Sequence, residues 1–354
     1  ERIYDKQIQT LKRTSHTIEY FTYNDMNQNV SNDYVNHHHY NSNNFSQTYY
    51  KKKILEFSQT NNPIILHIHD LELLPLAYKI KVNNKDIKII YDIHEDVVAM
   101  WDSLSKYSGL MKKIINNILS GFELHYLKYI DCFIIANKLA NQNRYKKYGP
   151  VHTIQNFPKI TQTKKQLNIN KPYKLIYHGQ LDYNRGITNL IDAFHSLAKK
   201  YDDLELKIIG NCRTKKIKKE LIKKINNHDK IQFSNSIPHN DIWNILYDAH
   251  IGIIPFNDML IFKKNTPTKL FEFMITNCAV VASRLKPIYE FSPTNISFAK
   301  PGDVKSLINA IELYLTNIEM YQKHIFNNKE LIYQKYNWEL ESKKLLAIYE
   351  GIIR

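Results

Sequence analysis

Two hydrophobic rhythms alternate along the chain. Short apolar runs of strand length recur between longer stretches with apolar residues three and four apart, which argues for parallel sheets with helices on both faces. Residues 2–13 read as a helix and Thr17–Tyr23 as a strand. Asn24–Asn44 is rich in Asn, His and Ser, carries the "HHH" of positions 37–39, and reads as a long solvated loop. A helix over 46–58, the strand "PIILHIHD" (63–70), a helix over 71–82 and strand 87–93 follow. Helix 107–128 and strand 131–136 complete a first half. The aperiodic, polar stretch 156–172 reads as a linker.

The pattern then restarts. "YKLIYHG" (173–179), "LELKIIG" (204–210), "KIQFSNSI" (230–237), "HIGIIPF" (250–256) and "CAVVAS" (278–283) read as strands. Helices over 187–200, 214–227, 240–248 and 267–276 separate them, and everything after Gly302 reads as helix. The expected architecture is α/β, two doubly wound Rossmann-like domains facing a central cleft, with ligands bound where strands end and helices begin. The expected domains are residues 1–160, residues 161–335 and a C-terminal helix, 336–354, that packs back on the first domain.

Length and composition narrow the choices. A chain of 354 residues is long enough for two domains. Its nine glycines are well separated, Gly179 and Gly186 being the closest pair. That spacing excludes the glycine-rich dinucleotide fingerprint and the phosphate loop of nucleotide triphosphatases. Cys132, Cys212 and Cys278 lie far apart, so a disulfide framework is not expected and a reducing, cytoplasmic setting fits. No apolar run reaches membrane-spanning length. The chain opens on Glu1, not Met, and a further strand and loop are expected before it. The net charge of +15 calls for an anionic partner: a phosphate-bearing substrate, a lipid surface or an acidic polymer. No RNA-binding motif accompanies the charge.

Two segments carry candidate chemistry. In "KKNTPTKLFEFM" (263–274), Thr266 is placed to cap a helix and Pro267 to occupy its first position. With Thr268 and the lysines Lys263, Lys264 and Lys269, such a helix start suits a diphosphate. Glu272, one turn on, could accept hydrogen bonds from both hydroxyls of a ribose. An ordinary capped amphipathic helix is the plain alternative. In "YHGQLDYNRGITNLIDAF" (177–194), Gly179 admits close approach of a ligand, and Arg185 can fork two hydrogen bonds onto phosphate. A strand–loop–helix connection with a solvated arginine is the alternative there.

These segments, with "SIPHNDIWNILYDAHIGIIPF" between them, resemble the donor-binding half of the family 4 glycosyltransferases, of GT-B fold. "ERIYDKQIQTLKR", "LHIHDLELLPLA", "KIIYDIHEDV" and "CFIIANKLANQNRYKKYGPVHTIQNFP" resemble that family's acceptor half, in the same order, and the whole resembles bacterial surface-polysaccharide glycosyltransferases. The resemblance implies a retaining hexosyltransferase. It would need no cofactor or metal and would move a sugar from a nucleotide sugar, by the family's habit a UDP-sugar. The acceptor would be a glycan of capsule, lipopolysaccharide or teichoic-acid type, or a lipid-linked precursor at the cytoplasmic membrane.

It further implies roles. Arg185 would meet the donor diphosphate, beside Gly179 and Gln180, where the family has a second arginine. Glu272 would hold the ribose as the second glutamate of the family's pair, and Lys264 replaces the first. Thr266, Pro267, Thr268 and Lys269 would line the diphosphate or sugar, and Ile237 the nucleobase. His94 would stand beside the reacting centre, with His69, Asp70 and Glu95 on the acceptor side. A GT-B-fold epimerase or phosphorylase is one alternative. A non-catalytic basic module binding an acidic polymer or nucleic acid is another.

His67, His69, His94, Glu95 and Asp70 could also gather as a metal site, but no zinc spacing motif supports it. The basic run 213–230 reads as a solvated helix face, with an anionic membrane or polymer as the functional alternative. Residues 107–122 carry Tyr107, Leu110, Met111, Ile114, Ile115, Ile118, Leu119 and Phe122 on one broad face, expected to lie in the core, with membrane contact beside Lys106, Lys112 and Lys113 as the alternative.

Overall fold

A computed structural model describes residues 2–25, 34–94, 101, 108–137, 142–160 and 173–353. The chain forms two compact units, one from residues 1–156 with 338–354, the other from residues 157–337.

The first unit opens with a π-helical stretch, Arg2–Ile8, running into a single helical turn, α1 (Gln9–Leu11). Strands β1 (Ile18–Asn24) and β2 (Val35–Asn41) pair in parallel along their whole length, from Ile18 opposite Val35 to Asn24 opposite Asn41. The second half of the expected loop 24–44 is therefore a strand, and the three histidines are not solvated loop residues. Thr22 Oγ1 lies 2.7 Å from His37 Nε2 and 3.0 Å from His39 Nδ1, and His38 Nε2 lies 2.6 Å from the Glu19 carboxylate. The Phe21 and His38 rings stack at 4.4 Å. Cross-strand side-chain pairs of this kind, not an apolar alternation, hold the ribbon.

Helix α2 (Gln47–Asn61) is capped by Ser46, whose hydroxyl accepts from the Tyr49 N–H. Then come β3 (Ile65–Ile68), α3 (Leu74–Asn83), β4 (Lys88–Ile93), α4 (Gly109–Leu127), β5 (Cys132–Ile135), α5 (Gln142–Lys146) and β6 (Val151–Thr153). The four strands β3–β4–β5–β6 lie side by side in that order, all parallel. Both faces of β4 and β5 are buried, which explains their near-continuous apolar sequences.

In the second unit the strands are β7 (Tyr173–His178), β8 (Leu204–Ile209), β9 (Ile231–Ser234), β10 (Ile251–Ile254), β11 (Ala279–Ser283) and β12 (Ser297–Ala299). The helices between and after them are α6 (Ile187–Ala198), α7 (Lys215–Ile225), α8 (His239–Asp248), α9 (Leu260–Lys264), α10 (Lys269–Ile275), α11 (Lys286–Tyr289), α12 (Val304–Thr316) and α13 (Ile318–Gln334). The sheet order is β12–β11–β10–β7–β8–β9, entirely parallel. The chain winds outward from β7 on one side, then returns to β10 and winds outward on the other. The point of reversal lies between β7 and β10, and their carboxyl ends are where such a sheet binds ligands.

The last helix, α14 (Trp338–Ile353), belongs to the first unit. Leu345 and Ile348 are buried in one cluster with Leu11, Ile90 and Ile134. The Trp338 indole donates to Thr10 Oγ1 at 3.0 Å, and Glu341 accepts from the Gln155 N–H at 2.8 Å.

Candidate functional site

The reversal point of the second sheet gathers a polar cluster. β7 ends at His178, and Gly179 follows with φ of 112°, in the left-handed region that favours glycine. A Cβ there would come within 3.0 Å of Lys269 Nζ. Lys269 opens α10, is buried, and donates to the His178 carbonyl. Its ammonium sits 4.1 Å from the centre of the Tyr177 ring. Burial, helped by the Arg185 charge and opposed by Glu272, pulls the Lys269 amine down to about 7. Near neutral pH it is thus poised between amine and ammonium.

Glu272, one turn along α10, is also buried, and its carboxylate lies 3.2 Å from His178 Nε2. That distance suits an ion pair, but the imidazole nitrogen lacks hydrogen-bond alignment with a partner. Arg185 ends a tight turn, Tyr183–Arg185, begun by Asp182, whose carboxylate accepts from the Asn184 N–H. The guanidinium packs 5.6 Å from the Phe256 ring and 5.7 Å from the Phe262 ring. Gly186 then enters α6 at φ of 70°, so close to Pro255 that a Cβ would meet its carbonyl oxygen at 1.7 Å. Asn257 ties the loop after β10 to this turn, donating to the Tyr183 carbonyl at 2.8 Å.

The start of α10 differs from the expectation. Lys269, not Pro267, is its first residue, and Thr268 holds the cap position with helical backbone and no side-chain cap. Thr266 does not cap the helix; its hydroxyl oxygen is buried without a hydrogen-bond partner. The reason is a tighter turn just before the helix, in which Leu270 N–H donates to Pro267 O at 3.1 Å and Phe271 N–H to Thr268 O at 3.0 Å. Lys264 ends α9, half-buried. Gln180 is exposed and its carbonyl accepts from the Tyr177 hydroxyl at 2.8 Å. Ile237 packs, partly buried, against the core cluster that holds Leu270 and Phe273. The structure thus brings Gly179, Arg185, Lys269 and Glu272 together.

The first unit holds the second cluster. In the β3–β4 register His67 faces Ile90, which sets His69 beside Asp92 and puts His94 on the same face. His69 Nδ1 lies 2.9 Å from His94 Nε2, so two expected acceptor-side residues meet. The central carboxylate is Asp92, not Asp70 or Glu95. Asp70 is exposed, and Glu95 lies outside the described residues. Asp92 is fully buried and accepts from Arg2 at 2.9 and 3.0 Å and from Gln7 at 2.6 Å. Burial opposes its ionisation, but Arg2 and the surrounding histidines outweigh that and hold it far below the usual carboxylate range. Burial pulls the His94 imidazole down to about 4 and His69 well below its ordinary value. Both are neutral at pH 7. His67 Nδ1 shares a hydrogen bond with the Tyr349 hydroxyl of α14 at 2.7 Å.

His67, His69 and Asp92 each offer a ligand atom within 4.8 Å of the others, close enough for one metal ion. The donor set argues otherwise. Both Asp92 oxygens already accept hydrogen bonds, and a dication would stand against the Arg2 guanidinium. The cluster is better described as a buried ion pair framed by neutral imidazoles. Sequence reasoning missed its centre, although an aspartate inside the apolar strand "KIIYDI" was itself a signal, because a buried carboxylate demands partners.

Two Rossmann-like units, each built on a parallel sheet, are the architecture of the GT-B fold. Sucrose-phosphate synthase from Thermosynechococcus elongatus has the same fold, with a TM-score of 0.75 at 15% identity over 97% of this chain and 90% of that one. Trehalose-6-phosphate synthase OtsA aligns with a TM-score of 0.70 at 11% identity over 97% of this chain and 93% of its own. Anabaena HepE, solved in complex with UDP, aligns at 0.66 with 15% identity over 90% of this chain and 86% of its own. In sequence, residues 159–331, all within the second unit, match the family described as glycosyl transferases group 1. A human subunit of phosphatidylinositol N-acetylglucosaminyltransferase is 23% identical over 184 residues, 50% of this chain but only 36% of that protein.

Proposed function

We propose that the chain is a retaining glycosyltransferase that moves a hexosyl group from a UDP-sugar to a hydroxyl of a surface-glycan or lipid-linked acceptor. It would act in the cytoplasm at the inner face of the membrane. The observation that carries the reading is the cluster of Arg185, Lys269 and Glu272 around Gly179, at the reversal point of a sheet within the group 1 glycosyltransferase region. The UDP bound to HepE, which shares this fold, supports that nucleotide as the donor's.

The proposed chemistry asks little covalent work of the protein. As the glycosidic bond to phosphate breaks, negative charge grows on the departing diphosphate. Arg185 and a protonated Lys269 stabilise it, and Gly179 lets phosphate approach the backbone. Glu272 accepts hydrogen bonds from the ribose hydroxyls, and Thr266, with its unpartnered hydroxyl, lines the sugar or diphosphate beside Pro267, Thr268 and Lys264. The acceptor oxygen attacks from the face the phosphate leaves, and that phosphate takes its proton, so configuration is retained. His94, neutral at pH 7, orients donor or acceptor, with His69 beside it.

Calorimetric titration with UDP-glucose and uridine tests the donor site. Arg185→Ala weakens UDP-glucose binding by about 2 kcal/mol, the scale of lost hydrogen bonds to a charged group, and leaves uridine nearly unaffected. Equal losses for both ligands would refute a diphosphate contact. The same titration has a pH signature. Lys269 carries its charge only below about 7 in the free protein, and a diphosphate diester of fixed charge favours the charged form. UDP-glucose affinity therefore rises as pH falls from about 9 to about 6, and Lys269→Met abolishes that dependence. A flat profile in the unaltered protein separates Lys269 from the phosphates.

A further inference from the structure

One polar atom at the site of the second unit has no part in the proposed chemistry. His178 Nε2 is buried without a hydrogen-bond partner among the described residues, although the Glu272 carboxylate stands 3.2 Å away. A buried nitrogen in that state has given up water and gained nothing in return, so its presence calls for a cause. Side chains alternate along β7, and Ile176 and His178 share the face covered by α10. His178 ends the strand, where the apolar face gives way to the site. α10 grips it at two points: Lys269 donates to its carbonyl, and Glu272 faces its imidazole. The Phe273 ring meets the imidazole almost at right angles, with 5.2 Å between ring centres. Phe273 in turn lies so tightly on β10 that a Cβ at Gly252 would come within 2.3 Å of its ring. The imidazole is thus wedged, and the nitrogen it presents to Glu272 is a fixed point.

We propose that His178 is a positioning residue: with its hydrogen on Nε2 it sets the rotation of the Glu272 carboxylate, and through it the preference of the site for a ribonucleotide over a 2′-deoxyribonucleotide. The inference rests on the ribose role proposed for Glu272. A carboxylate accepts from both hydroxyls of a ribose in only some of its rotations. The terminal torsion of a glutamate is broad and holds none of them by itself. A fixed donor beside Oε2 removes that freedom. In the free protein the two groups are close but misaligned, and hydrogen bonds of this kind tighten when the ligand is bound. As the ribose hydroxyls draw the carboxylate into line, the imidazole N–H gains its acceptor, so the buried nitrogen is satisfied in the complex. A nucleotide without the 2′-hydroxyl leaves part of the carboxylate unpaired and forfeits that gain. An aliphatic side chain at position 178 would pack against Phe273 without supplying the donor.

Calorimetric titration of the full chain with UDP and 2′-deoxy-UDP reads this preference without a sugar or an acceptor. The unaltered protein binds UDP at least about tenfold more tightly than 2′-deoxy-UDP, the scale of one hydrogen bond to a charged group. His178→Leu lowers that ratio to about threefold or less, by weakening UDP and sparing 2′-deoxy-UDP. His178→Asn, whose amide is too short to reach Glu272, does the same, so the test does not hang on the leucine variant folding. His178→Gln, whose amide nitrogen reaches the place of Nε2, restores most of the ratio, which a packing role does not explain. Glu272→Ala separates the two layers of the argument. No preference in the unaltered protein, or a ratio that Glu272→Ala leaves intact, takes the ribose role from Glu272 and the inference with it. A ratio that falls in Glu272→Ala but stands in His178→Leu and His178→Asn overturns the inference alone, as does a glutamine variant no better than asparagine.

Discussion

Asp92→Asn destabilises the first unit by roughly 3–5 kcal/mol, the cost of breaking a buried pair by removing one partner. The isosteric amide leaves the Arg2 guanidinium buried against a neutral group, and it lies between Gln7 and three imidazoles that the carboxylate now organises. Arg2 and Gln7 belong to the opening helical stretch, so losing their anchor frees that segment as well as β4. Hydrogen exchange along Lys88–Ile93 and Cys132–Ile135 reads the effect, and protection in the second unit stays unchanged. Equal protection in the variant would mean that the ion pair contributes nothing net. Acid acts in the same direction. His94 resists protonation until about pH 4 in the fold, whereas an unfolded histidine takes its proton near 6.5. The unfolded chain therefore binds more protons between those values, and stability falls as pH drops through that window.

Glu272→Ala weakens UDP-glucose binding by ~1–3 kcal/mol, about five- to 150-fold, as expected for lost hydrogen bonds to a charged group. A second contribution adds to the first. Glu272 is the charge that raises the Lys269 amine against burial and Arg185, so without it less Lys269 is protonated at neutral pH. Glu272→Gln separates the two. It keeps a hydrogen-bonding head for the ribose but removes the charge, so it loses less affinity than alanine and, like alanine, gains more on acidification than the unaltered protein. Unchanged affinity in Glu272→Ala would remove the residue from the ribose role.

The central strands β10 and β11 of the second unit were legible because they are buried on both faces and read as unbroken apolar runs, "HIGIIPF" and "CAVVAS". β2 was not, since "VNHHHYN" is held by histidine, threonine and glutamate pairs that imitate loop composition. The convergence of Lys269 and Glu272 followed from helical spacing. The Arg2–Asp92 pair did not, because its members stand 90 positions apart and no local pattern links them. The exposed face of α4, with Leu110, Met111, Ile114, Ile118 and Phe122, was hidden for another reason. Ile115 and Leu119 continue the apolar arc toward the protein side, and periodicity alone does not say which half of such an arc is covered.

The chain passes from one unit to the other twice, at Asn156–Phe157 and at Asn337–Trp338. During synthesis the second unit can therefore close as soon as Asn337 has emerged, while the first still waits. Its missing pieces are Trp338 for Thr10, Glu341 for Gln155 and Tyr349 for His67, partners separated by as many as 328 residues. The unit whose strands emerge earlier is thus completed after the one that follows it, and premature termination within residues 338–353 damages a unit whose sheet was made well before.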